Sequence, residues 1–201
     1  MPASSSTERF RLFVAIRIPD RVKAEIEKAQ NELRRGSPAG AVRWATGDQL
    51  HLTLRFLGGV EAPRVEELKA ALARACGPFA ALRLRAGGID AFPSLRSPRV
   101  LWAGVRDADQ ALQTLQHAVA EAVGPFTREK AEKTYVGHVT IGRVKAISKP
   151  DARVLAARAS SLADRVLGEW TAGEVELIRS KLTPLGACYT PIAAGRLTGG
   201  S

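Results

Sequence analysis

Histidine is scarce in this chain of 201 residues, which has three. Two of them open the same short pattern, His51-Leu52-Thr53-Leu54 and His138-Val139-Thr140-Ile141. In an extended strand residues i and i+2 project to one side. Each tetrad therefore offers an imidazole and a hydroxyl together, with its two aliphatic residues turned the other way. If the two strands lie side by side along a cleft, two imidazoles face each other beside two threonine hydroxyls. That set suits transfer at a phosphodiester: one proton must leave the attacking oxygen and another must reach the leaving oxygen. Histidine, with an unperturbed pKa of about 6.5, holds either state near neutrality. The negative charge that gathers on the non-bridging oxygens can be met by the O–H groups of Thr53 and Thr140.

A single His-x-Thr on a strand is commonly structural, the histidine satisfied by a neighbour and the threonine present for its strand propensity. Two such tetrads among three histidines weaken that reading. Zinc is the other common use of histidine, but a structural site takes four protein ligands and a catalytic one three. Only His117 is left; it falls off the apolar stripe of its helix and reads as a surface residue. No metal and no other cofactor is expected.

The bulk composition narrows the partner. Thirty Lys and Arg against twenty Asp and Glu give a net charge of +10, which points to a polyanion, a compositional bias toward arginine being the alternative. Cys76 and Cys188 stand far apart in no metal-like spacing, which suits a reducing cytoplasm. The first residues lack an apolar leader, and no run approaches the roughly 18 apolar residues of a membrane helix. A soluble, cytoplasmic monomer with no membrane partner is expected.

The elements that must position the tetrads are legible from periodicity. "RLFVAIRIP" alternates as a strand ended by Pro19, and Asp20 is placed to cap a helix carrying Val22, Ile26, Ala29 and Leu33 inward. "AVRWAT" and "HLTLRFLG" follow as strands, then a helix with Val65, Leu68, Leu72 and Ala75 on one face. "FAALRLRAGGI" and "RVLWAGV" read as strands, with Trp44 and Trp102 taken as core residues, and a third helix covers 108–123. "TYVGHVTIGRV", a helix near 150–163 and a closing pair, "GEVELIRSKLT" and "CYTPIAAGRL", complete the chain. Strand, helix, strand recurs on both sides of the middle. This predicts an α+β architecture of two pseudo-symmetric lobes in a single catalytic domain, 1–201, with flexible tails at 1–8 and 198–201.

The pair "HLTL" and "HVTI", the opening "RLFVAIRIP", the middle "PRVLWAGV" and the late "VELIRSKLTPLGACYTPI" together resemble the 2H phosphoesterase superfamily. Within it they resemble the bacterial and archaeal RNA 2′,3′-cyclic phosphodiesterases, also called 2′-5′ RNA ligases. The resemblance runs in order from Phe10 to Leu197. It implies a bilobal fold with a pseudo-two-fold, antiparallel sheets facing a central cleft and helices outside. It also implies metal-independent opening of RNA 2′,3′-cyclic phosphate ends to 2′-phosphate ends, on RNA or nucleotides. His51 and His138 would then be the acid-base pair, His138 activating water and His51 protonating the departing O3′, with Thr53 and Thr140 binding the phosphate. Phe56 and Arg143, each five residues past its histidine, match positions that contact the adjacent nucleotide. Gly137 stands where the family commonly has proline, which would loosen the start of that strand.

Strict alternation would put a residue at i+5 on the face opposite its histidine. Either a bulge re-aims Phe56 and Arg143, or Phe56 is core and Arg143 surface. Arg128, Lys130 and Lys133 before the second tetrad, and Arg96 and Arg99 in "FPSLRSPR", either line an RNA path or are solvated loop charges. Two other functions stay open: a ligase joining 2′,3′-cyclic phosphate and 5′-hydroxyl ends by the same chemistry, and a non-catalytic RNA-binding module. The module has no need of two titratable imidazoles.

Overall fold

Alternating apolar residues make the first strand, β1 (Arg9–Arg17), of a computed structural model that describes residues 8–130, 134–184 and 186–199. The remaining elements are α1 (Asp20–Arg34), β2 (Val42–Trp44), β3 (His51–Glu61), α2 (Val65–Cys76), β4 (Leu82–Phe92), β5 (Val100–Asp107) and α3 (Ala111–Val123). They continue with β6 (His138–Val144), α4 (Lys149–Ser161), β7 (Val166–Ala172), β8 (Glu174–Thr183) and β9 (Gly186–Arg196).

The strands form one curled antiparallel sheet in the order β7-β4-β5-β6-β3-β1-β8-β9, with β2 also paired to β6. The order divides into two four-stranded halves, β7-β4-β5-β6 and β3-β1-β8-β9. Each half has a tetrad strand at its inner edge, β3 in one and β6 in the other. The halves meet through a single paired position, Leu52 opposite Val139. Beyond it the two strands part, and β2 takes the far end of the β6 edge, Val42 to Val144 through Trp44 to Gly142.

All four helices pack on one face of this sheet, α1 and α4 over the β7-β4 side and α2 with α3 over the β3 to β9 side. The apolar phase of each strand feeds the core beneath them. Leu12, Val14 and Ile16 of β1, Leu52 and Leu54 of β3, and Val139 and Ile141 of β6 join Ile26, Leu33, Leu68, Leu72, Leu115 and Val119 from the helices. Each such side chain contributes about 1.5–3 kcal/mol on burial. The opposite, uncovered face carries a second, smaller cluster of Phe13, Ala15 and Ile178 with Tyr189 against it.

Three local features differ from the periodicity reading. Asp20 is the first helical residue, with Pro19 at the cap position and no side-chain cap; it pairs instead with Lys23 at 3.2 Å. Helix α3 starts at Ala111 because Gln110 takes a left-handed φ of 57°, and Asp107 receives the Leu112 N–H at 3.1 Å. Strand β7 falls outside that reading altogether. Its alternation is broken at Gly168, where φ is 135° and the register with β4 shifts, so "VLGEWTA" carries no clean period. At the ends, Glu8 accepts the Ala62 N–H at 2.9 Å and Gly199 donates to Phe79 O at 2.9 Å, so both are tied to the fold.

Candidate active site

The single pair Leu52–Val139 sets the register of the site. Continued one residue either way, it puts His51 across from Thr140 and Thr53 across from His138. All four are half-buried on the helix-free face, while Leu52, Leu54, Val139 and Ile141 are buried beneath the sheet. The tetrads are thus neighbours, each histidine beside the other strand's threonine.

Both tetrad strands carry a bulge at the same place, three residues past the histidine. On β3 the pairing to β1 passes from Thr53 to Arg55 and skips Leu54. On β6 the pairing to β5 passes from Thr140 to Gly142 and skips Ile141. Each bulged carbonyl is taken by a glutamine from a helix: Gln30 of α1 donates to Ile141 O at 2.7 Å and to Ala45 O at 2.8 Å, and Gln116 of α3 donates to Leu54 O at 3.2 Å. A second bulge in β3, at Leu57, gives its carbonyl to the Thr127 hydroxyl at 2.7 Å.

The first pair of bulges decides the i+5 question. Phe56 lies opposite Phe13, 51 % exposed, with ring centroids 6.1 Å apart, on the histidine face and out of the core. Arg143 is exposed opposite Val100, which shares a strand face with Trp102. Because β3 and β6 are antiparallel, Phe56 and Arg143 stand toward opposite ends of the groove.

Each imidazole sits against two aromatic rings that the tetrads themselves do not announce. His51 lies 4.8 Å from Phe13 and 5.3 Å, edge on, from Tyr189. His138 lies 5.1 Å, edge on, from Phe92 and 6.0 Å from Trp102, and those two rings stack at 5.1 Å. Trp102 is therefore part of the groove floor and not of the core; Trp44 does pack on the core. The signal for Phe13 and Trp102 was their phase, opposite to Leu12 and Val14 or to Leu101 and Ala103. His138 Nδ1 stands 2.7 Å from Val136 O. A carbonyl has no proton to give, so Nδ1–H is the donor, and in the neutral ring the lone pair is on Nε2. The His51 Nδ1 edge is turned inward, away from solvent.

The cations are arranged by register as well. Arg43 of β2 lies directly opposite Arg143, and both are exposed. Arg17 lies opposite His51 and is held by Glu176, whose Oε1 accepts from Nε at 3.1 Å and Nη2 at 2.8 Å. Neither Arg43 nor Arg17 carried a sequence signal, since only pairing brings them to the site. Arg55, buried at the i+4 position, donates to the carbonyls of Glu129 and Lys130 and ties the loop before β6 to β3. Arg96, Arg99, Arg128 and Lys130 are exposed; Lys133 lies outside the described residues.

Gly137 is held firmly. Its carbonyl accepts the Val105 N–H at 2.8 Å, and a Cβ there would come within 2.5 Å of Val105 O. His117 is on the surface, 3.5 Å from Glu121. Among the described residues no three His, Cys, Asp or Glu side chains converge as metal ligands would, and no helix is long and apolar enough to cross a membrane.

Against known proteins, residues 16–102, which hold the first tetrad, match the family described as LigT like phosphoesterase. The RNA 2′,3′-cyclic phosphodiesterase of Methanocaldococcus jannaschii is 31% identical over 182 residues, covering 90% of this chain and 98% of that protein. Among solved structures, TT0787 of Thermus thermophilus superposes with a TM-score of 0.76 at 28% identity, covering 94% of this chain and 98% of the other. Escherichia coli LigT complexed with 3′-AMP superposes with a TM-score of 0.74 at 25% identity, covering 95% and 99%. Relatives matched along nearly their whole length, on the fold that sets the two tetrads side by side, make this chain a member of the LigT-like phosphoesterase family, the 2H phosphoesterases, and so an enzyme.

Proposed function

We propose that the protein hydrolyses RNA 2′,3′-cyclic phosphate ends to 2′-phosphate ends, without a metal, as a single cytoplasmic catalytic domain acting as a monomer. The observation that carries the reading is the pairing of Leu52 with Val139, which brings two His-x-Thr faces together on adjacent strands. The M. jannaschii relative's name and the 3′-AMP complex of E. coli LigT support the choice of substrate.

In this reading His138 is the base. Its Nδ1–H is engaged by Val136 O, so the Nε2 lone pair takes a proton from water as the water oxygen attacks phosphorus. The P–O3′ bond breaks, and protonated His51 gives its proton to O3′, leaving a 3′-hydroxyl and a 2′-phosphate. Thr53 and Thr140 donate hydrogen bonds to the non-bridging oxygens as charge builds there. Phe56 stacks on a base toward one end of the groove, and Arg143, with Arg43 beside it, grips a phosphate toward the other. The aromatic rings cover part of each half-buried imidazole, and the open face of the sheet leaves a way in for water and substrate.

The test is to incubate the protein with a 2′,3′-cyclic phosphate oligonucleotide in EDTA and identify the product, across about pH 4.5 to 9 to span the histidine range. A 2′-phosphate end, and a bell-shaped kcat/KM belonging to the histidine pair as a whole, are expected. A 3′-phosphate product, a flat profile, or activity lost to EDTA and restored by zinc would overturn the proposal.

A further inference from the structure

Beyond the site, the groove face of the second half carries a cluster of arginines that the proposed reaction does not use. On β4, Leu82, Leu84 and Ala86 are buried in the core, which turns Arg83 and Arg85 to the open face. On β5, Leu101, Ala103 and Val105 are buried, which turns Trp102, Gly104 and Arg106 to that same face. The β4–β5 register sets Arg85 directly opposite Arg106. Like charges directly opposite across strands are destabilising, so this pairing is a standing cost to the fold unless an anion lies over it.

The protein's own carboxylates do little to relieve it. Glu169 of β7 is opposite Arg85 but approaches only to 3.9 Å, between two largely exposed side chains. Arg83 faces Thr171. Among the described residues no carboxylate pairs with Arg83 or Arg106. Asp90, on the same face opposite Trp102, accepts from the Ala91 N–H, and Asp107 is engaged by the Leu112 N–H.

The cluster is continuous with the site. Gly104 is paired with His138, and Arg106 is two residues further along β5, its Cα about 7 Å beyond the histidine. This is the end of the groove toward which β3 carries Phe56, on the opposite wall. A chain whose terminal base rests on Phe56 runs out past Arg106 and Arg85. We propose that Arg83, Arg85 and Arg106 form a track for the backbone phosphates of single-stranded RNA upstream of the reacting end, making the enzyme prefer oligonucleotides to dinucleotides. This rests on the RNA-end reading above and names where the rest of the RNA lies.

The experiment compares a 2′,3′-cyclic phosphate dinucleotide with an octanucleotide bearing the same end. Wild type, Arg85→Gln/Arg106→Gln and the charge-keeping Arg85→Lys/Arg106→Lys are measured from low to moderate salt. In the wild type the octanucleotide is expected to have the lower KM, by on the order of 10-fold for two phosphate contacts. The glutamine variant should lose that advantage, with kcat and the dinucleotide constants unchanged, and the lysine variant should keep most of it. The slope of log kcat/KM against log salt for the octanucleotide should flatten by about 1.4, at about 0.7 per contact on a single strand. Equal KM for the two lengths in the wild type, or an octanucleotide KM untouched by the glutamines, would overturn the track. If neither substrate turns over, it is the RNA-end reading that fails. Anisotropy with a labelled, uncleavable octanucleotide then decides the track alone: weaker binding by the glutamine variant supports it, and equal binding overturns it.

Discussion

His51 and His138, to which the proposed reaction gives its two proton transfers, stand outside the packed core. Both are half-buried on the face away from the core. His51→Ala and His138→Ala are each expected to lower kcat/KM on a cyclic phosphate by about 10² to 10⁴, with melting temperature little changed. Near-wild-type turnover by either variant would remove that histidine from the mechanism. The two cysteines offer a contrast in chemistry. Burial pushes the Cys76 thiol up to about 11, whereas Cys188 is exposed. A maleimide at neutral pH should label Cys188 and spare Cys76 in the folded protein, read by mass spectrometry of peptides. Because the folded thiol titrates above its ordinary value of 9.0, its stabilising effect is complete below that pH and declines as pH rises toward about 11. Replacing Cys76 by alanine should flatten that alkaline decline while costing stability through the lost packing.

Within the elements, the bulges three residues past each histidine turn ordinary strands into site walls. Gln30 is buried and bonds two carbonyls, one of them on the β6 bulge. Gln30→Leu keeps the bulk and leaves both carbonyls without that donor, so it should cost about 1–3 kcal/mol in chemical denaturation. It should also raise KM more than it lowers kcat, because the bulge it supports aims Arg143 and not His138. An unaltered KM would mean that the bulge holds without its glutamine. Strand β6 begins under a second constraint. With Val105 O only 2.5 Å from where a Cβ would sit, Gly137→Pro should destabilise the protein by about 1–3 kcal/mol, even though proline is the residue the resemblance leads one to expect there. A melting temperature equal to or above wild type would show that β5 and β6 adjust at no cost.

Across the whole molecule, a net charge of +10 and a groove with arginine pairs at both ends make association with a polyanion fast and salt-sensitive. The rate on a cyclic-phosphate oligonucleotide at low substrate should therefore fall steeply between about 50 and 200 mM salt, while the saturated rate, set by chemistry, stays level. A kcat/KM indifferent to salt would show that the charge serves no substrate.

Much of this protein was legible in local sequence, because local sequence is what periods of two and three to four report. Strands β1, β3, β5, β6 and β8 and helices α1, α2 and α4 could be placed by their apolar phase, and the repeated tetrads stood out as the candidate site. What the period could not report is pairing between distant segments. The bulges at Leu54 and Ile141 exist only relative to β1 and β5, so Phe56 stayed undecided between core and groove until those strands were in register. Phe92 and Tyr189 were ordinary apolar residues, and Phe13 and Trp102 were marked only by strand phase, until the curl of the sheet put all four around two imidazoles. The arginine pairs 43–143 and 85–106 came from segments with no mutual signal. Side-chain phase is a property of one strand, whereas which residue stands opposite which is settled by long-range hydrogen bonding and core packing, and only the assembled sheet contains it.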